Sequence, residues 1–316
     1  MHHTKTYRRE HLITIVLATY DGEKYILDQL ESLLKQTRPA DEVIICDDKS
    51  TDSTVEKVKS FICDHNLDHW YLYVNEENVG FRKNFMNGIR KAKGDIIFLC
   101  EQDGIWDLDK VGKMSEIMEE QRDIDLLACR CIEFRGETPE KTEEMPGTGE
   151  VNRVPLPDNI LNVPFPGCTY CFRRSLFEAC EPYWLEISPH DAVLWRSAVL
   201  LGTAYVLDQA FIFWRKHEDS AWSKESGPEC VETELKWRSA EVKELTELKR
   251  FVENVVTADK TAKEKLLDEN MGWSLLRTQF FKTKSLLSGI RLFGYRKCYP
   301  GGIKGWLRDW KLVCVS

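Results

Sequence analysis

The sequence contains no apolar run of about 18 residues, so no membrane-spanning helix is expected. It has no excess of positive charge either. A formal net charge of −8 argues against non-specific binding of nucleic acid by the chain as a whole. No cysteine framework is visible: the eleven cysteines are odd in number and scattered, and the close pairs Cys129/Cys131 and Cys168/Cys171 lack a second matching pair for zinc. Free thiols in a reducing cytosol are the expectation. The stretch from His2 to Arg9 is polar and basic with no long apolar run behind it, which speaks against a secretory leader. There is no internal repeat.

What is present is ordinary for a globular protein in bulk, with 42% hydrophobic and 30% charged residues over 316 positions. That length permits one large domain or two smaller ones. The charge is unevenly spread. From Met271 onward nine Lys/Arg stand against the single acid Asp309, so the tail carries +8 and the remainder −16.

Leu12 to Ala18 is apolar and β-branched, the pattern of a strand buried on both faces. Ile26, Leu30, Leu33 and Leu34 then mark one face of a helix. Strands are expected again at Glu42 to Cys46, Trp70 to Val74 and Asp95 to Cys100. Between them lie a helix through Val55, Val58 and Ile62, capped by Ser50 or Thr51, and a helix from Phe81 to Lys91. This alternation means βαβ crossovers and a mainly parallel sheet, whose ligands bind outside the carboxyl ends of the strands. Further on, Glu137 to Asp158 reads as an exposed loop, Gly167 to Phe172 as regular structure, and Arg174 to Cys180 and His190 to Leu200 as helices. Ala204 to Leu207 reads as a strand, and a polar break at Glu218 to Glu229 precedes a long, highly charged helical region.

Four clusters could carry chemistry. Asp47-Asp48 follows a buried strand and opens a helix, where carboxylates can bond a nucleobase edge or ribose hydroxyls; a merely acidic turn is the alternative. Glu101-Gln102-Asp103 ends the fourth strand and suits a hard divalent cation, Mg²⁺ or Mn²⁺, completed by phosphate oxygens; a solvated loop competes with that reading. His190-Asp191 opens a helix whose amino terminus would keep Asp191 ionised as a proton acceptor, although Ser188 and Asp191 could simply be caps. Arg215-Lys216-His217 follows the apolar Phe211 to Trp214 and could clamp phosphates or be a plain surface run.

In this order the segments resemble a family 2 glycosyltransferase, nearest the rhamnosyltransferase-like branch that builds bacterial surface polysaccharides. The resemblance runs over about residues 12 to 220. It rests on ITIVLATYDGEKYILDQLESLLKQT from Ile13, ICDDKSTDST from Ile45 and NVGFRKNFMNGIRKAKGDIIFLCEQDGIW from Asn78, then on GCTYCFRR from Gly167, HDAVLW from His190 and VLDQAFIFWRKH from Val206. It implies a GT-A-type nucleotide-diphospho-sugar transferase fold, mixed α/β with a mainly parallel central sheet and a helical C-terminal extension. It also implies an inverting transfer of a hexose or deoxyhexose, such as rhamnose, to a glycan or lipid-linked acceptor. The donor site implied comprises Ala18, Tyr20, Asp48, Arg82, Glu101, Gln102, Asp103, Arg215 and His217, with Asp103 and His217 on the metal. The acceptor site implied comprises Trp106, Gly167, Cys168 and His190, with Asp191 as the general base. Two departures stand out. The family's usual Asp-Gln-Asp-Asp is here Glu101-Gln102-Asp103-Gly104, one acid short, and the aromatics usual after His-Asp are replaced by Ala192 and Val193.

The expected organisation is a catalytic domain over residues 1–225 and a helical, basic extension over 226–316. In the extension Trp273, Leu276, Phe280, Leu287 and Ile290, and then Ile303, Trp306, Leu307 and Trp310, fall near helical spacing among Lys and Arg. That is the pattern of helices lying on an anionic membrane or docking on the rest of the protein. The expected location is therefore cytoplasmic, at the inner membrane face. Two other functions remain in play. A nucleotidyltransferase would want a Gly-rich, basic loop after the first strand, which Ala18-Thr19-Tyr20-Asp21-Gly22 is not. A catalytically impaired relative that binds a glycan or partner would fit Gly104 but not the retention of Asp48, Asp103, Asp191 and His217.

Overall fold

The computed structural model describes residues 11–137, 139, 145–217 and 230–315. The expected polar break at Glu218 to Glu229 and the stretch from His2 to Arg9 lie outside them. The chain divides into two compact units. The first comprises the chain up to Val154 with Phe165–Glu178 and Thr203–His217, and the second Pro155–Pro164, Ala179–Gly202 and the residues from Glu218 onward.

The first unit is built on one nine-stranded sheet. Strands β1 (Ile13–Thr19), β2 (Glu42–Asp47), β3 (Trp70–Val74) and β4 (Ile96–Glu101) lie in the order β3-β2-β1-β4, every pairing parallel. This is the half that the βαβ alternation anticipates. Helices α1 (Ile26–Leu34), α2 (Thr54–Asp64), α3 (Phe81–Lys91) and α4 (Lys110–Glu120) supply the crossovers and the cover. Ile13, Ile15 and Leu17 join the core that holds Leu30, Val58 and Met114 of α1, α2 and α4. On the opposite face α3 closes directly on the sheet at Gly88, where a Cβ would stand 2.6 Å from Val16 Cγ1 and 3.2 Å from Cys46 Sγ. Burial on both faces is the physical reason β1, β2 and β4 carry no polar alternation.

Beyond β4 the sheet turns mixed. β8 (Tyr170–Arg173) runs antiparallel to both β4 and β6 (Leu126–Phe134), and β9 (Ala204–Arg215) runs parallel to β6. The short β5 (Ile105–Trp106) and β7 (Gly147–Arg153) pair antiparallel with β9. Three expectations are corrected here. The segment Glu137 to Asp158 is not all loop, since β7 lies within it. The strand expected at Ala204 to Leu207 continues to Arg215. Helix α2 begins at Thr54 with Ser53 at the cap position, so neither Ser50 nor Thr51 caps it; Ser50 instead bonds back to Asp47.

The second unit is helical among its described residues: α6 (His190–Leu201), α7 (Val231–Asn254), α8 (Lys260–Thr283), α9 (Leu286–Arg291) and α10 (Ile303–Val315). α5 (Arg174–Cys180) spans the boundary between the two sets of residues. Of the stripe expected to face a membrane or the rest of the protein, the Trp and Phe residues are core to this unit, whereas Leu287, Ile290, Ile303 and Leu307 are exposed. Trp273, Phe280, Phe281, Leu292, Tyr299 and Val313 pack together, with Trp306 and Trp310 partly buried against them. Inside, Arg277 donates two bonds of 2.7 Å to Asp309, whose Oδ2 also accepts from the Tyr299 hydroxyl at 2.8 Å. A buried charge needs such pairing. No helix among the described residues is long and apolar enough to cross a membrane.

Candidate active site

Register brings the strand ends together. Ala18 stands beside Cys46 and Glu101, Thr19 beside Asp47, and Asp47 beside Val74. The loops after β1, β2 and β4 therefore leave the sheet at one level, on the edge where ligands of parallel sheets bind.

The β2 loop is held rigidly by its own acids. Asp47 is fully buried and accepts from the Thr19 hydroxyl (2.8 Å), the Ser50 hydroxyl (2.5 Å) and the Ser50 amide (2.8 Å). Asp48, also buried, accepts at Oδ1 from Asn75 Nδ2 (2.9 Å) and the Val79 amide (2.8 Å), and at Oδ2 from the Gly80 amide (2.8 Å). Asp48 thereby ties the β3–α3 loop to β2. Gly80 there has φ +83°, a left-handed region that costs other residues strain. Arg82 follows in the first turn of α3 with its guanidinium 4.6 Å from the Phe81 ring centroid.

Gln102 clasps the β1 loop. Its Oε1 accepts from the Tyr20 amide (2.7 Å) and its Nε2 donates to the Tyr20 carbonyl (2.9 Å), leaving the Tyr20 side chain exposed. Gly22 is required beneath this clasp, because a Cβ there would stand 2.3 Å from Gln102 Oε1. The neighbouring Glu101 accepts from the Trp214 indole at 3.2 Å.

Asp103 and His217 meet at the centre. His217 Nε2 lies 2.7 Å from Asp103 Oδ2, while Asp103 Oδ1 is buried with no hydrogen-bond partner among the described residues. A buried carboxylate oxygen without a partner is uncommon and calls for a ligand or ion. Carboxylate oxygen and neutral imidazole nitrogen are both donors that a small divalent cation accepts. Among the described residues no group of three or more His, Cys, Asp or Glu gathers, so a cation held by these two would need further oxygens, such as those of a phosphate ligand. The site therefore fits a cation shared with a phosphate ligand.

Arg215 does not point outward. It is buried, with Nε donating to the Asp103 carbonyl (3.0 Å) and Nη1 to the carbonyls of Gly136 and Glu137. Its guanidinium lies between the rings of Tyr25 (4.1 Å) and Phe134 (4.6 Å). In this position it braces the loop that carries Asp103.

Trp106, Gly167 and Cys168 are likewise internal. Gly167 and Cys168 form a buried 3-10 turn, and Trp106 is core. A residue that sequence reasoning missed joins them: Lys110, fully buried at the start of α4, donates to the Cys168 carbonyl at 2.6 Å and lies 3.4 Å from the Trp106 ring centroid. Burial lowers its pKa. No periodicity could have flagged it, since a lysine at a helix start reads as solvent-exposed. His190 and Asp191 belong to the second unit. His190 is buried as the first residue of α6, and Asp191 is half-buried in the first turn, with Pro189 rather than Ser188 or Asp191 at the cap position.

Comparison with known proteins bears directly on this arrangement. The model of the family described as "Glycosyl transferase family 2" matches residues 14–183, more than half of the chain. The chain belongs to that family. Among curated relatives of this family 2 chain, glycosyltransferase GlyA of Streptococcus pneumoniae is 30% identical over 113 residues, which are 35% of this chain and 16% of that protein. The poly(ribitol-phosphate) β-N-acetylglucosaminyltransferase TarS of Staphylococcus aureus is 28% identical over 126 residues, 39% of this chain and 22% of that one. These matches thus span only a minor part of the curated relatives. The crystal structure of TarS residues 1–349 with UDP-GlcNAc superposes with a TM-score of 0.61 at 21% identity, covering 90% of this chain and 79% of that one. The mannosyltransferase PcManGT of Pyrobaculum calidifontis, in complex with GDP-Man and Mn²⁺, gives a TM-score of 0.56 at 15% identity, covering 98% and 87%. At those identities the likeness is one of fold, and the fold is GT-A-like.

Proposed function

We propose that this family 2 chain is an inverting glycosyltransferase that moves a hexose or deoxyhexose from a nucleoside-diphosphate donor to a glycan or lipid-linked acceptor in surface polysaccharide synthesis. A rhamnosyltransferase-like specificity is the finer form of the same proposal. The observation that carries it is the Asp103–His217 pair at the carboxyl edge of the parallel strands, with its buried carboxylate oxygen unsatisfied among the described residues.

In this reading residues 1–225 are catalytic and 226–316 a helical, basic extension. The β1 and β2 loops hold the nucleoside: Ala18 and Tyr20 line one side, and Asp48 orders the other and binds the base. Arg82, at the opening of α3, faces the donor phosphates. Asp103 and His217 would hold a Mg²⁺ or Mn²⁺ ion, which offsets the charge of a departing diphosphate. Arg215 contributes by bracing the Asp103 loop, and Glu101 and Gln102 by fixing that loop to Trp214 and Tyr20. Asp191 takes the proton of the acceptor hydroxyl as that oxygen attacks the anomeric carbon and the carbon–oxygen bond to the diphosphate breaks. His190, Trp106, Gly167 and Cys168 shape the acceptor side, and contact with an anionic membrane through the extension would bring a lipid-linked acceptor within reach, in the cytoplasm. Hydrolysis and transfer assays across UDP-, GDP- and dTDP-sugars test this. Metal-dependent turnover of one donor supports it, while donor binding with no turnover would favour an impaired, binding-only relative.

A further inference from the structure

The basic extension separates its apolar residues into two sets. One set is the internal core of the helical unit. The other is displayed: on α9 Leu286, Leu287 and Ile290 are 69%, 65% and 62% exposed. Their spacing puts them within one arc of the helix, opposite the buried Ser288, Gly289 and Leu292. α10 repeats the arrangement, with Ile303 and Leu307 outward and Asp309 and Val313 inward. The two helices are packed together. Trp306 Nε1 donates to the Gly289 carbonyl at 2.8 Å, and Gly289 sits so close to Trp310 that a Cβ would meet it at 2.3 Å. Phe293, exposed between them, lies against Trp306 with ring centroids 5.3 Å apart.

Charge says what covers this face. All eight Lys and Arg residues from 282 to 311 are exposed, whereas the only acid from 282 to 314, Asp309, is fully buried against Arg277. A segment that displays Leu, Ile and Phe, exposes all of its cations (Arg308 also pairing with Glu234) and buries its one acid complements an anionic bilayer, where apolar side chains enter the acyl boundary and cations meet phosphate headgroups. Nucleic acid matches the charge but gives aliphatic side chains nothing to enter.

We infer that the α9–α10 face, led by Leu286, Leu287 and Ile290, is the surface by which this protein docks on an anionic membrane. This deepens the reading of the extension given above and identifies the residues that make the contact, which are not the tryptophans. Docking is read by sedimentation of the full chain with phosphatidylglycerol or phosphatidylcholine vesicles at low and high salt. The expected result is binding to phosphatidylglycerol alone, reversed by salt, and weakened roughly tenfold or more in the triple variant Leu286→Ser/Leu287→Ser/Ile290→Ser. These side chains are exposed, so the variant should melt like the parent. Failure of the full chain to bind phosphatidylglycerol at low salt overturns the inference, as does unchanged binding by the variant. So does a salt-insensitive dimer dissolved by the same substitutions, which would assign the face to a second copy, or capture of duplex DNA in place of vesicles. Hydrolysis of the nucleotide sugar measured in solution, without vesicles or lipid-linked acceptor, separates the two proposals: it should be equal in parent and variant, and its absence from both would count against the proposed activity while leaving docking intact.

Discussion

His217 Nε2 lies 2.7 Å from Asp103 Oδ2, and the other oxygen of the same carboxylate is buried without a partner among the described residues. Histidine reaches this point only because β9 runs on to Arg215 and because Arg215 itself binds the Asp103 carbonyl. Strand β9 thus delivers the imidazole and the brace for the carboxylate together.

The general base gives the first prediction. Asp191→Asn removes a charge and preserves shape in the first turn of α6, where the cap position belongs to Pro189 and loses nothing. General-base catalysis contributes about 10²- to 10⁴-fold, so transfer should fall by that order with nucleotide-sugar affinity unchanged. Near-normal transfer would show that the base lies elsewhere, and lost donor binding would move Asp191 to the donor side.

Lys110 offers a second. Lys110→Met removes a desolvated cation, which favours folding, and also the bond to the Cys168 carbonyl, whose loss costs about 1–3 kcal/mol. These oppose, so the melting temperature should move little. The turn at Gly167–Thr169 and the Trp106 ring lose their common anchor, so KM for acceptor should rise while KM for donor holds. A steep loss of stability, or an unchanged acceptor KM, would make Lys110 a packing residue only.

Gly104 stands where the family usually has a second acid. A Cβ there would lie 3.2 Å from Gln29 Oε1 and 3.6 Å from the Phe213 carbonyl, both acceptors, and Gln29 Oε1 is already buried without a donor among the described residues. Gly104→Asp should therefore destabilise the fold, by about 1–3 kcal/mol for an unsatisfied buried acceptor, and should not tighten metal binding. Denaturant unfolding with and without Mn²⁺ reads both. A stable variant with raised metal affinity would contradict this.

Strands β1, β2 and β4 were legible because each is buried on both faces and reads as an unbroken apolar run, while β3, half of it exposed, was legible from its aromatic and β-branched content. β6 was not: its register shifts between Cys129 and Arg130, and again between Arg130 and Ile132, so no simple alternation survives. β7 was hidden because GTGEVNR is an exposed edge strand with little apolar content. The acidic clusters were visible as residues, but that Asp48 would be engaged by Asn75, Val79 and Gly80 depends on a loop some thirty positions away. Arg215 read as a phosphate clamp or a surface charge because sequence shows charge and not the aromatic rings that enclose it. The stripe of the extension was correctly apolar but its Trp and Phe residues turn into the core of their own unit while Leu287, Ile290, Ile303 and Leu307 are exposed, since spacing alone does not distinguish a face that meets protein from one that does not.

The thiols provide a check on the fold. Cys63 and Cys314 are exposed, whereas burial pushes the Cys46 thiol up to about 12 and that of Cys129 to about 11. The thiolate is the reactive form, so a maleimide near neutral pH should label Cys63 and Cys314 rapidly and Cys46 and Cys129 only on unfolding. Mass spectrometry of the timed reaction reads this, and prompt labelling of Cys46 or Cys129 would contradict the burial of β2 or β6.

The central claim is that Asp103 is the principal protein carboxylate for a divalent cation at the donor diphosphate. Calorimetric titration of Mn²⁺ into the protein with UDP present tests it most directly. The parent should bind Mn²⁺ in a UDP-dependent manner, Glu101→Gln should bind more weakly, and Asp103→Ala should show no binding at the same concentrations. Equal Mn²⁺ affinity in Asp103→Ala and parent would contradict the account.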